Sequence, residues 1–133
     1  MFLRASPIIA LLLGPALAEA QTVACHATYG GETHLVVAEP AVSPYGVTAT
    51  AIGSYFRLRI VFQKEPADLA SIKVYTYADR DEGITPIHQA TYPYPPAVLP
   101  RHGFSGLQSV YEPVRDGELQ YWCELRPAGE DKQ

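Results

Sequence analysis

Between Tyr55 and Gln63 the chain alternates apolar and polar side chains almost one for one. Phe56, Leu58, Ile60 and Phe62 interleave with Arg57, Arg59, Val61 and Gln63. A period of two puts one set on each side of an extended strand, so one face is apolar and the other can meet water. The same period recurs along the chain, and no stretch sustains helical spacing. It predicts strands over Thr22–Thr28, Thr33–Ala38, Val47–Ile52, Tyr55–Gln63, Ser71–Ala78, Ile84–Tyr92, Phe104–Glu112 and Glu118–Arg126. Turn chemistry falls between them at Gly30-Gly31, Gly53-Ser54, Asp79–Gly83 and Asp116-Gly117. Glu65–Leu69 reads as a connector of one helical turn. The proline-rich run Pro93–Pro100 cannot enter a sheet interior.

About seven to eight short antiparallel strands separated by regular turns describe an all-β domain, a small β-sandwich or small barrel. Tyr121-x-Cys123 resembles the Tyr-x-Cys of immunoglobulin F strands, which implies an immunoglobulin-like sandwich. The likeness covers these residues alone: no Trp follows Cys25, and the cysteines stand too far apart for the bridge of that family. At 133 residues the chain supports one domain with one core.

The ends read differently. Arg4 precedes an apolar run from Ile8 to Leu17, and a small-x-small site follows at Ala16-Leu17-Ala18 or Ala18-Glu19-Ala20. A positive start, an apolar middle and a small-residue exit make residues 1–20 a cleavable signal peptide. A membrane-spanning helix needs roughly twenty apolar residues, about twice this run. No later segment comes close, so no integral membrane segment is expected after cleavage. The competing export signal is lipidation at Cys25, against which stand Glu19 and an apolar run that ends too early. The expected domain is 21–126, with a polar tail over 127–133. The chain has no asparagine and is richer in arginine than in lysine, a bacterial kind of composition. The expected destination is the periplasm or the exterior.

In an oxidising compartment Cys25 and Cys123 have only each other. A disulfide between them ties the first strand to the last, and by the chain-entropy argument closing so long a loop contributes roughly 4–5 kcal/mol at most.

Ten Lys/Arg against fourteen Asp/Glu leave a charge of -4. That excludes a basic footprint for nucleic acid or an anionic membrane. His26 and His34 flank the first turn. A three-residue loop, Gly30 to Glu32, gathers Cys25, Ala27, Leu35 and Val37 on one apolar face. It sets the two histidines diagonally on the other face, where a third ligand would complete a Zn²⁺ or Cu²⁺ site. Ser105 with His102 and Asp116 is the nearest approach to a hydrolase trio, without the strand-turn-helix of a nucleophile elbow. Asp79–Gly83 fails the spacing of a calcium loop and reads as a solvated hairpin. No catalytic residue and no cofactor follows from the sequence.

The segment from Tyr92 through Tyr94 to Phe104 sets aromatic rings among prolines, the make-up of a recognition surface. The alternative is that the rings fold back and cap the sandwich. Alternation also turns Trp122 outward with Gln120, Glu124 and Arg126. The expected function is therefore an exported, non-catalytic binding or accessory module. Its contacts with a protein or other extracellular ligand run through Tyr92, Tyr94, Phe104 and Trp122. The metal-binding pair is the second reading.

Overall fold

The computed structural model describes residues 21–127, so the signal-peptide expectation for 1–20 and nearly all of the expected tail lie outside the described residues. Eight strands form in the predicted order: β1 Thr22–Tyr29, β2 Glu32–Ala38, β3 Thr50–Ile52, β4 Phe56–Gln63, β5 Ser71–Arg80, β6 Gly83–Pro93, β7 Gln108–Glu112 and β8 Gly117–Arg126. They make two four-stranded antiparallel sheets, ordered β2-β1-β8-β7 and β3-β4-β5-β6. The chain crosses between sheets after β2 and returns after β6. The connector before β5 contains the expected helical turn, at Ala67–Leu69.

The core lies between the sheets, and alternation fills it. Val23, Cys25, Ala27, Leu119, Tyr121 and Cys123 come from one sheet; Phe56, Leu58, Ile60, Phe62, Ile72 and Val74 come from the other. Each fully buried large apolar side chain contributes about 1.5–3 kcal/mol, so this interface carries most of the fold's stability.

Cys25 and Cys123 form the disulfide, 98 positions apart in sequence. They are direct register partners on neighbouring strands β1 and β8. The bridge therefore lies within one sheet, whereas the immunoglobulin resemblance implies one between sheets. The physical reason is topological: the last strand pairs with the first, so both thiols leave the same sheet toward the same core.

Three local expectations are corrected. The β1–β2 hairpin turns on two residues, Gly30 and Gly31, and pairs Ala27 with His34 and His26 with Leu35. Both glycines have positive φ, +63° and +81°, the backbone of a two-residue type I′ turn whose twist matches the strands. Turn geometry thus overrides the apolar-face argument, and Leu35 and Val37 go to the outer face. β3 is shorter than predicted because the Arg59 guanidinium takes the Val47 carbonyl at 2.9 Å and the Pro44 carbonyl as well. That holds the segment before β3 as a strap. β7 begins only at Gln108, because Gly103 and Gly106, both at positive φ, bend the preceding residues into a loop.

Candidate functional site

Of the four aromatic residues named from the sequence, Phe104 and Trp122 line one cleft, and Tyr92 and Tyr94 do not line it. Tyr92 lies opposite Ile72 on the inward face of β6 and meets Phe104 edge-on at 5.1 Å. Phe104 is 5% exposed and belongs to the core. Tyr94 leans on Phe62 at 5.3 Å, and its hydroxyl donates to the Gln21 side chain. These three rings pack against the core at one end of the sandwich, as in the capping alternative, with Tyr92 and Tyr94 only partly buried. Rings among prolines look alike in sequence whether they point in or out; here the inward face of β6 decides. Burial raises the Tyr92 phenol above its usual pKa.

Trp122 remains. It is half-buried on the outer face of β8, opposite His26 of β1. The two rings lie parallel, 4.0 Å apart and 8° from coplanar. Nε2 of His26 donates to Oε2 of Glu124 at 2.5 Å, and the Arg126 guanidinium lies 3.9 Å from the same oxygen. His102 approaches Trp122 edge-on from the loop, at 5.7 Å. Beside them opens a cleft of about 310 Å³ lined by Pro96, Val98, Phe104, Trp122, Glu124 and Leu125. Across the sheet the row continues to Leu35, 46% exposed and registered with His26. Alternation along β8 already placed Trp122 outward in the sequence. That His102, twenty positions away, joins it follows from the loop and not from any local spacing.

The loop is held where it is by β8. The Phe104 amide donates to the Cys123 carbonyl at 3.0 Å, and the Cys123 amide donates to Ser105 Oγ at 2.7 Å. Gly103 has φ +62°, and a Cβ there would stand 2.1 Å from the Cys123 carbonyl oxygen. Only glycine allows that approach. His102, itself at φ +61°, is thereby presented to Trp122.

The other candidates dissolve on geometry. With the two-residue turn, His26 and His34 fall on opposite faces of the hairpin, so the proposed diagonal pair does not form. No group of three or more His, Cys, Asp or Glu side chains placed to hold a metal exists among the described residues. Ser105 is buried, donates to the Gly106 carbonyl at 2.8 Å and accepts from Cys123, so its hydroxyl is committed. His102 sits on Trp122, and Asp116 accepts from the Tyr111 hydroxyl in the β7–β8 turn. In the 79–83 hairpin the carboxylates meet arginines, Asp79 with Arg57 at 3.4 Å and Asp81 with Arg115 at 3.2 Å.

At the far end of the sandwich Glu112 is fully buried. Its carboxylate takes Arg80 at 2.5 Å and the Val114 amide at 2.7 Å. Burial alone would raise its pKa. The Val114 and Arg80 hydrogen bonds, with the charges of Arg80 and Arg115, outweigh burial and hold it below the ordinary carboxylate value. This ion pair joins β5 to β7, one strand from each sheet, and is structural in character.

The fold and site define a disulfide-bridged, two-sheet all-β domain with an outward tryptophan beside a small cleft. The chain matches no protein-family model, no curated protein sequence and no solved structure.

Proposed function

We propose that this is an exported, non-catalytic binding module that engages its partner through the outer face of the β2-β1-β8-β7 sheet around Trp122. The observation that carries the reading is Trp122, partly buried on the outer face, beside the cleft formed with Pro96 and Val98. A large amphipathic ring in a partly desolvated setting is the kind of residue that dominates binding energy at interfaces. His26 and His102 restrict its rotamers, so little entropy is lost when a partner covers it. The opposite outer face is less suited: Arg57 is engaged by Asp79, and Arg59 by the 44–47 strap. The proline-rich loop keeps part of its expected role, with Pro96, Val98 and His102 joining Phe104 as the contact residues in place of Tyr92 and Tyr94.

The disulfide supports an oxidising compartment, periplasmic or extracellular. No helix of the described residues is long and apolar enough to cross a membrane. Two packed antiparallel sheets support the immunoglobulin-like reading at the level of layers, although the bridge departs from it.

The test is affinity capture from an extracellular or periplasmic fraction with the wild type and with Trp122→Ala, both shown to be folded. A partner retained by the wild type and lost by the variant is expected. Identical captures would overturn the reading.

A further inference from the structure

The two sheets end in four edges, and three of them are blunted. β3 has three residues and β7 five, with Pro113 following. β6 is long but carries Pro86, ends at Pro93, and its pairing with β5 is interrupted between Thr76 and Tyr77. Short strands, prolines and bulges are the usual guards against pairing with another chain. β2 has none of them: seven residues, no proline, no lysine or arginine, and a continuous register against β1.

The pairing also fixes which amides face outward. In a two-residue hairpin the residues flanking the turn, Tyr29 and Glu32, exchange hydrogen bonds, and bonded pairs then alternate. Glu32, His34, Val36 and Ala38 therefore bond to β1, while Thr33, Leu35 and Val37 direct their N–H and C=O groups away from it. Among the described residues no strand pairs with that side. Leu35 and Val37 are 46% and 45% exposed. Below the edge runs a cleft of about 540 Å³, with Val36, Val47, Leu58 and Ile60 in its walls and Glu39 as the one charged lining residue.

We propose that β2 accepts an extended peptide as an added strand, one that is apolar at alternate positions and carries a basic residue at each end. The backbone of such a strand satisfies Thr33, Leu35 and Val37, and its inward side chains enter the cleft over Leu58 and Ile60. The charges choose the occupant. Glu32 and Glu39 bracket the apolar stretch of the edge. A second copy paired antiparallel through Leu35 sets Glu32 opposite Ala38 and offers neither carboxylate a counter-charge, since β2 has no lysine or arginine. Basic flanks meet the same two carboxylates favourably.

The experiment is an NMR titration of the ¹⁵N-labelled protein with the peptide Lys-Val-Thr-Val-Thr-Val-Lys, and in parallel with Glu-Val-Thr-Val-Thr-Val-Glu. Saturable amide shifts confined to β2 and the cleft walls are expected, with the Glu-flanked peptide weaker by about two- to fivefold or more, the size of exposed ion-pair effects. Val37→Pro removes one outward amide without removing a bond to β1 and should weaken binding at least tenfold. Leu35→Lys, on the exposed face, provides the same test should the proline variant fail to fold. Unchanged affinity in both variants would overturn the proposal. So would an absence of saturable shifts, shifts located elsewhere, or a wild-type dimer formed through β2.

Discussion

His26 lies flat against Trp122 across β1 and β8, with ring centroids 4.0 Å apart, and at the same time donates to Glu124 at 2.5 Å. One histidine thus fixes both the ring and the carboxylate at the mouth of the Trp122 cleft. Such a cross-strand aromatic pair contributes about 0.5–1.5 kcal/mol beyond the area it buries. It is a modest stabiliser on an outer face, unlike the rings inside.

That difference is measurable. Phe104→Ala removes a core ring and should cost about 3–5 kcal/mol. Trp122→Ala removes a half-buried outer ring and should cost about 1–2 kcal/mol, the stack with His26 and part of its contact with the loop. Thermal melts of the two variants against the wild type give the ordering, and a larger loss at Trp122 would make it a core residue.

Cys25→Ser and Cys123→Ser should each destabilise by about 2–5 kcal/mol, the range for native disulfides in small secreted domains. The double variant should resemble either single one, since the bridge is lost in all three. Denaturant titration checks both statements.

Acid should loosen the far end first. The Glu112 pKa is lowered in the folded state, so the stabilisation it gives is complete above the ordinary glutamate value of about 4.3. It is lost as pH falls through the lower folded value, because only the ionised carboxylate holds Arg80 and the Val114 amide. Melting temperature against pH should therefore show an acid limb below about pH 4.3. Glu112→Gln should be less stable at neutral pH and show a shallower limb.

Gly103→Ala should be costly, about 2–5 kcal/mol, because it adds a Cβ 2.1 Å from a carbonyl oxygen at a left-handed backbone position. Gly31→Ala shares the positive φ but meets nothing within 4 Å, so it should cost only about 1 kcal/mol. Comparing their unfolding midpoints separates backbone strain from the clash that holds the loop to β8.

The layered architecture was legible because period-two alternation reports which side of a strand is buried, as in Phe56, Leu58, Ile60 and Phe62. The disulfide was legible because two thiols leave one pairing. Four things were hidden. The register of the first hairpin depended on whether the Gly30-Gly31 turn or the grouping of Leu35 and Val37 prevails, and a free edge lets aliphatic side chains stay outside. The inward turn of Tyr92 and Phe104 depended on contacts between β6 and a distant loop. The meeting of His102 with Trp122 depended on a glycine, Gly103, whose role shows only against the Cys123 carbonyl. Glu112 was equally unreadable, since its partner Arg80 lies 32 positions away.

Trp122 is the single tryptophan of the chain, so the ¹⁵N-labelled protein has one indole N–H. Titrating it with the unlabelled partner recovered by affinity capture shows whether binding occurs at Trp122. The indole resonance should shift and saturate together with the amides of His26, His102 and Val98. An indole that stays in place while resonances on the opposite sheet move would contradict binding at that ring.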